Sequence, residues 1–177
     1  MKVGVLMSGG VDSTVAAILM KEEGFRVLGI TMVNWDEGPA RKAREAAKYL
    51  GIEHKIIDLR PLFKKRVVDY FCASYNRCET PNPCVECNKH IKFGALLDKA
   101  VEWGCDLIAT GHYARLEQSR EGRYLLKKGV DLSKDQSYFL YGLLQEQLAR
   151  IIFPLGNRSK REIREMADSY GLPVARE

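Results

Sequence analysis

No apolar run in this 177-residue sequence approaches the roughly 18 to 20 residues needed to cross a bilayer. The N-terminal residues already have the pattern of a strand, so nothing there indicates a signal peptide. Together these absences predict a cytoplasmic protein with no membrane partner. Internal repeats and low-complexity linkers are also missing, and the length fits one globular domain with room for a small appendage.

Two common phosphate-binding patterns are absent as well. Neither G-x-x-x-x-G-K-[ST] nor G-x-G-x-x-G occurs, and no lysine follows the glycine pair at positions 9 and 10. In their place, the stretch S-G-G-V-D-S at 8–13 follows the apolar residues 3–7. Glycine amides can turn toward a phosphate, and a following helix N-terminus favours an anion. The stretch predicts a pyrophosphate and metal site using Ser8, Asp12, Ser13 and Thr14; the alternative is a helix capped by Ser8 or Asp12.

The charge balance is only modestly basic. The chain carries 28 Lys and Arg against 23 Asp and Glu, a formal net charge of +5. Such an excess is compatible with a nucleic-acid partner but does not establish one. With 46% hydrophobic and 29% charged residues, the composition is typical of a soluble protein with a buried core.

Strand and helix patterns alternate through the first 110 residues. The predicted strands are 3–7, 26–32, 54–59 and 106–110, and the predicted helices are 11–23, 39–50, one from Pro61, and 89–103, with a loop over 76–88. This order predicts an α/β fold, a doubly wound parallel sheet with helices on both faces. The loops at 8–13, 31–36 and 110–115 follow strands, where such folds bind ligands.

A different pattern follows residue 113. Residues 114–128 predict a hairpin, and a polar segment runs from Asp131 to Ser137. Ser159 and Glu162 have capping-box spacing, which predicts a helix over 160–170 that is closed by Gly171 and Pro173. We therefore expect a small C-terminal helical extension.

The five cysteines include only one C-x-x-C pair, Cys84 and Cys87. A zinc site would need about four ligands, which Cys72, Cys78, Cys84 and Cys87 could supply in principle, although the chain has no second C-x-x-C pair. An iron–sulfur cluster held by three thiolates is a second alternative, and thiol chemistry is a third. Cys87 directly precedes the predicted helix beginning at Asn88, so the helix N-terminus and Lys89 are expected to stabilise a thiolate there. Cys72 and Cys105 are interpreted as buried small residues.

Histidine and aromatic residues add weaker hypotheses. His54 is interpreted as structural, and His112 as either a packed residue or a direct ligand. Tyr138 and Phe139 could stack on a flipped base, although the core is the favoured interpretation for both.

Five segments of the sequence resemble those of a known family and occur in the same order. They are 8–13 (SGGVDS), 29–35 (GITMVNW), 80–88 (TPNPCVECN) with 91–93 (IKF), 109–113 (ATGHY) and 134–140 (KDQSYFL). Together they resemble the bacterial tRNA-specific 2-thiouridylases, the MnmA or TrmU family, over essentially the whole chain. The resemblance implies the PP-loop ATP pyrophosphatase fold, which is adenine nucleotide alpha hydrolase-like. It implies a catalytic ATP-binding domain over 1–130 and a tRNA-contacting segment with the helical extension over 131–177.

The resemblance also implies site residues. ATP would be held by Leu6, Met7, Ser8, Gly9, Gly10, Val11, Asp12, Ser13, Met32 and Gly111. The target uracil would lie against Asn82, Pro83 and Cys84, and tRNA would contact Lys134, Asp135 and Gln136. Cys87 matches the catalytic cysteine, and Cys84 and Asp12 are the further catalytic candidates.

The implied reaction uses ATP and Mg²⁺ to adenylate the C2 oxygen of the wobble uridine, after which sulfur displaces AMP. The sulfur would come from a persulfide, supplied by a donor or relay protein, or from a [4Fe-4S] cluster at Cys84 and Cys87. Two alternatives stay open: another PP-loop adenylating enzyme, and a non-catalytic ATP- and metal-binding module that docks on tRNA.

Two departures from the family bear on these expectations. Many members have aspartate where this chain has Cys84, and this difference creates the C-x-x-C pair, so a cluster or a local Cys84–Cys87 disulfide is expected here. The family also has a further catalytic cysteine downstream of the segment matching 171–175. If the chain is an excised domain, we expect ATP binding with poor turnover. If it is naturally short, Cys84 or Cys78 is the candidate resolving thiol.

Overall fold

A computed structural model describes residues 1–172 of the protein. The strands are β1 (Lys2–Leu6), β2 (Arg26–Val33), β3 (Glu53–Asp58), β4 (Leu107–Thr110), β5 (Ala114–Gln118), β6 (Tyr124–Lys128) and β7 (Ile151–Ile152). The α-helices are α1 (Val11–Glu22), α2 (Gly38–Leu50), α3 (Arg60–Phe63), α4 (Asp69–Asn76), α5 (Pro83–Glu86), α6 (Leu96–Glu102), α7 (Gln145–Leu148) and α8 (Lys160–Ser169). Two π-helical segments, Lys64–Val68 and Cys87–Ala95, and a 3₁₀ turn, Ser137–Leu140, complete the described elements.

Five strands form one parallel sheet in the order β3-β2-β1-β4-β7. The central strand β1 is short and apolar, and Val5 lies opposite Gly29 on one side and Ala109 on the other. This topology confirms the predicted α/β fold. The predicted hairpin is also confirmed, since β5 and β6 pair antiparallel as a separate sheet.

The two faces of the parallel sheet carry two separate cores. One core joins α1, α2 and α8 to the sheet through fully buried side chains such as Val15, Ala43 and Ile163. The other contains Phe93 and Leu96 from the helical stretch that begins at Pro83. Helices therefore cover both faces, as predicted.

The C-terminal extension shares the first of these cores. Leu155, Ile163 and Ala167 are fully buried together with Val15 of α1. Ser159 caps α8, and Glu162 completes the capping box as expected. A domain boundary near residue 130 stays a prediction, and Pro173, predicted to help close this helix, lies outside the described residues.

Three features differ from the sequence-based expectations. The helix predicted from residue 89 begins at Pro83, so the loop predicted over 76–88 is shorter. A regular α-helical period is interrupted at Lys64–Val68 and Cys87–Ala95, where the backbone is π-helical. The edge strand β7 was not predicted, because two residues are too few to show a strand pattern. Among residues 1–172, none of the helices is both long and apolar enough to span a bilayer.

Candidate active site

The glycine pair makes a tight turn between β1 and α1. Gly9 adopts φ +78°, and a Cβ atom there would lie 2.4 Å from the Cβ of Lys42. Both the conformation and the close approach therefore require glycine at this position.

The N-terminus of α1 is left open for a ligand. Gly10 is the N-cap and no side chain caps the helix, so the predicted cap by Ser8 or Asp12 is wrong. The first-turn amides of a helix have no partner within it, and here they face the end of the sheet at which ligands bind. This arrangement is suited to an anion.

The loop hydroxyls hold the turn itself together. Ser13 Oγ donates to the Gly10 carbonyl at 3.0 Å and accepts from the Ser8 amide at 3.2 Å. Thr14 is fully buried and its hydroxyl donates to the same Gly10 carbonyl at 3.0 Å. Thr14, predicted as one of the phosphate or metal groups, therefore belongs to the loop framework, while Ser8 is exposed.

A cavity of about 390 Å³ lies at the carboxyl ends of the strands. The predicted ATP residues that line it are Leu6, Met7, Ser8, Asp12, Ser13, Met32 and Gly111. Gly9, Gly10 and Val11 are not part of its wall. Residues that the sequence reasoning did not assign to ATP also line it: Ile30, Thr31, Asn34, Pro39, Lys92, Leu96, Thr110, His112 and Gln136.

Gly111 brings the end of β4 against the loop. A Cβ atom at this position would lie 3.0 Å from the carbonyl carbon of Asp12 and from the amide nitrogen of Ser13. Only a glycine lets the two backbones approach this closely. The cavity therefore owes its shape partly to Gly111.

Asp12 is oriented by two groups from other parts of the chain. Its Oδ1 accepts from the Tyr113 hydroxyl at 2.8 Å and from Lys160 Nζ at 2.6 Å. Burial, together with the carboxylate of Asp12, raises the pKa of the Tyr113 phenol well above its ordinary value. Tyr113 therefore stays protonated as a donor, and α8 reaches the loop through Lys160.

Cys87 lies one turn inside its helix rather than at its start. Asn82 is the N-cap, and its side chain accepts from the Val85 amide at 3.4 Å. Burial raises the pKa of the Cys87 thiol, and the positive charge of Lys92 opposes this effect. The expected thiolate at a helix N-terminus beside Lys89 is therefore wrong; Lys89 is exposed, and Lys92 is the cation that acts on the sulfur.

The other cysteines are free thiols in different surroundings. Cys84 is exposed and precedes Cys87 by three residues, a spacing that places both on neighbouring positions of a helix. Cys105 is buried as expected, but Cys72 is exposed, so the buried interpretation of Cys72 is wrong. Nowhere in residues 1–172 do three or more Cys, His, Asp or Glu side chains gather to hold a metal, so an iron–sulfur cluster does not fit the described thiols.

The three residues of the segment 134–136 differ in their exposure and contacts. Lys134 is exposed. Asp135 accepts from the amide of Gly129 at 2.9 Å and the hydroxyl of Ser137 at 2.8 Å. Burial acts to raise the pKa of Asp135, but these hydrogen bonds outweigh it and lower the pKa. Gln136 lines the cavity and exchanges two hydrogen bonds with the backbone of Tyr113, at 2.9 and 3.1 Å.

Exposed aromatic side chains lie next to this segment. Tyr138 is 66% exposed, so its predicted place in the core is wrong, while Phe139 is half-buried. The Phe139 carbonyl accepts from Asn88 Nδ2 at 3.0 Å, which joins the turn to the helix of Cys87.

A buried polar chain runs along one wall of the cavity. His112 Nδ1 lies 2.8 Å from Thr110 Oγ1, and His112 Nε2 lies 3.5 Å from Lys92 Nζ. Burial and the nearby Lys92 charge lower the pKa of His112 to about 3, so the ring is neutral. Lys92 is a cavity residue to which sequence reasoning gave no role, although it stands in the 91–93 segment that supported the family resemblance.

Comparisons with known proteins identify the family of the chain. Residues 1–177 match the family described as "tRNA methyl transferase HUP domain". The chain is 55% identical over 178 residues to the tRNA-specific 2-thiouridylase MnmA of Syntrophomonas wolfei, covering 100% of this chain and 53% of that protein. It is 48% identical to the MnmA of Pelotomaculum thermopropionicum, covering 98% of this chain and 52% of that one. The chain thus spans about half the length of the curated relatives it matches.

Solved structures with low sequence identity share the fold. A 4-thiouridine synthetase in complex with RNA and bound ATP superposes with a TM-score of 0.64 at 22% identity, covering 98% of this chain and 42% of that one. The NMN synthetase of Francisella tularensis superposes with a TM-score of 0.60 at 19% sequence identity, covering 99% of this chain and 65% of that one. The full-length family match and the identities of about one half lead to one conclusion: the chain belongs to the tRNA methyl transferase HUP-domain family and resembles the tRNA-specific 2-thiouridylases.

Proposed function

We propose that the chain is the ATP-binding and thiol-bearing part of an enzyme that converts the wobble uridine of tRNA to 2-thiouridine. The observation that carries the proposal is the cavity at the strand ends, which brings loop residues Ser8 and Asp12, Gly111 and the tRNA candidate Gln136 to one site. The similarity to enzymes named tRNA-specific 2-thiouridylase supplies the reaction class.

Adenylation comes first in the proposed reaction. The uracil C2 oxygen attacks the α-phosphorus of ATP, N3 loses its proton, and the bond to pyrophosphate breaks. The open amides at the start of α1 are suited to the leaving pyrophosphate. Mg²⁺ favours a carboxylate together with phosphate oxygens, so Asp12 fits such an ion, which would offset the pyrophosphate charge.

Sulfur transfer follows at Cys87. The terminal sulfur of a Cys87 persulfide attacks C2, the C2–O bond breaks, and AMP leaves with the electron pair. A second thiolate then attacks the Cys87 sulfur, the S–S electrons pass to the thiouridine sulfur, and a protein disulfide forms. Cys84 and Cys78 are this chain's candidates for the second thiol, and a persulfide donor and a thiol reductant complete the balance.

The test is a reaction with ATP, Mg²⁺, a persulfide source and tRNA, followed by nucleoside analysis and AMP measurement. We expect both 2-thiouridine and AMP, with the Cys87→Ser variant making AMP or exchanging pyrophosphate without forming 2-thiouridine. Cys72→Ser, which changes an exposed thiol on another helix, is the matched control. AMP formed without tRNA would favour another adenylating enzyme, and absence of both products would favour a docking module; either result would overturn the proposal.

A further inference from the structure

The helix of Cys87 places Lys92 on the same side as the sulfur. In an α-helix, residues five apart are rotated by about 140°, because each residue turns the chain by about 100°. In a π-helix the hydrogen bonds run from i to i+5, so residue i+5 stacks approximately one turn above residue i. Cys87–Ala95 is π-helical, and Cys87 and Lys92 are its first and sixth residues.

The same Lys92 side chain also borders the nucleotide cavity, together with Gly111 and Gln136. Cys87 does not border this cavity. Lys92 is therefore the residue that joins the place where ATP is expected to the helix that carries the thiol.

The buried chain through His112 fixes the position of the ammonium group. A protonated lysine has only donors, so His112 Nε2 must accept from Lys92 Nζ at 3.5 Å. His112 Nδ1 then carries the proton and donates to Thr110 Oγ1 at 2.8 Å. Rings of Phe93 and Phe153 pack around His112, whose side chain is buried.

We propose that Lys92 is a catalytic residue whose ammonium group stabilises negative charge both on the Cys87 sulfur and on the AMP phosphate as AMP leaves. This rests on the proposed function. When sulfur attacks C2 and the C2–O bond breaks, the electron pair goes to the AMP oxygen. Since C2 is joined to the α-phosphate through that one oxygen, a cation shared by sulfur and cavity lies beside the leaving group.

The experiment compares Lys92→Met with Lys89→Met, which removes an exposed lysine from the same helical segment. Peptide-level mass spectrometry measures the rate of Cys87 alkylation by iodoacetamide from pH 6.5 to 9.5. We expect Lys92→Met to slow alkylation at pH 7.5 by at least about threefold and to shift its pH profile upward. AMP affinity, measured by calorimetry, should fall about 10-fold. Lys92→Arg should recover part of the alkylation rate and part of the AMP affinity, whereas Lys89→Met should change neither of these two quantities.

The results separate the two proposals. If the wild-type protein fails to bind ATP or AMP, the proposed function fails, while Cys87 alkylation still decides whether Lys92 acts on the sulfur. Unchanged alkylation and unchanged AMP affinity in a folded Lys92→Met protein would overturn the inference. So would equal effects of Lys92→Met and Lys89→Met. Thermal unfolding of each variant identifies a folding defect, and Lys92→Arg keeps the comparison decisive if Lys92→Met fails to fold.

Discussion

Two histidines near the cavity are neutral rings that form hydrogen bonds with threonine hydroxyls. His54 Nε2 lies 2.8 Å from Thr31 Oγ1, and that hydroxyl donates to the Met7 carbonyl at 2.7 Å. Burial and the charge of Arg44 lower the pKa of His54. The structural interpretation of His54 is confirmed, since its ring helps to hold the strand end that leads into the glycine turn.

His112 makes stability depend on pH. Its folded pKa of about 3 lies below the ordinary 6.5, so the unfolded chain binds more protons between these values, and stability rises with pH there. The stability linked to the neutral His112 ring is fully present above pH 6.5, and lowering the pH to 5 reduces the free energy of unfolding by about 1 to 2 kcal/mol. Urea unfolding from pH 7.5 to 5 should show a shallower pH slope for His112→Asn. His90→Asn is the control, and an unchanged slope in His112→Asn would contradict the assignment.

Gly111→Ala tests the close approach of β4 to the loop. The added Cβ meets the Asp12 and Ser13 backbone at 3.0 Å, so the loop must shift. We expect ATP affinity, measured by calorimetry, to fall at least about 10-fold, which corresponds to about 1.4 kcal/mol. Gly142→Ala is the control, because its Cβ would make only ordinary contacts at 3.8 Å and beyond. Equal ATP affinity in the two variants would show that the loop does not depend on this contact.

At the scale of elements, α8 extends the fold by packing against α1. Ile163 is fully buried in the core that also holds Val15, and Lys160 reaches Asp12 from the same helix. The extension thus contributes apolar packing to the core and an ion pair to Asp12 of the 8–13 loop.

Ile163→Ala should therefore destabilise the entire sheet core rather than release a separate segment. Removing the buried side chain should lower the free energy of unfolding by about 2 to 4 kcal/mol in a single cooperative transition. The control is Arg161→Ala, whose side chain is 85% exposed beside Glu165, with an expected change within about 0.5 kcal/mol. Chemical denaturation gives both values, and an early, separate transition in Ile163→Ala would contradict the shared core.

Sequence patterns predicted the elements that bury apolar residues locally. The strand through Val5 and the helix through Val15 show such runs. Gly24 follows the end of that helix and Gly51 the end of α2, and both glycines have positive φ. The π-helical segment of Cys87 could not be predicted in this way, because apolar periodicity is interpreted with a period of 3.6 residues. Burial of the Cys87 thiol also depends on distant residues, so its raised pKa is a property of the folded protein.

At the scale of the whole molecule, the net charge of +5 is compatible with binding to a polyanion. On the proposed function, tRNA affinity should fall with salt, by a slope of about 0.7 to 0.9 in log–log form for each phosphate contacted. Lys134→Met should remove about one phosphate contact and so lower the salt slope by about 0.7 to 0.9, because this exposed lysine lies close to the cavity residue Gln136. Lys99→Met on α6 is the control, since Lys99 already pairs with Glu102. Filter binding between 50 and about 200 mM salt measures the slopes, and equal slopes would contradict the assignment of Lys134.

Hydrogen bonds join Gln136 to the backbone of Tyr113, and the Tyr113 hydroxyl to Asp12 of the 8–13 loop. On the proposed function, Gln136 belongs to the segment that would contact RNA and Asp12 to the loop that would hold ATP, so we expect a ligand at one of them to change the affinity at the other. Thermodynamic linkage then imposes a symmetry: whatever factor bound ATP applies to RNA affinity, bound RNA must apply to ATP affinity. Where that factor favours binding, an RNA that leaves Gln136 unengaged would leave ATP more weakly held, and nucleotide retention would then depend on which RNA is bound.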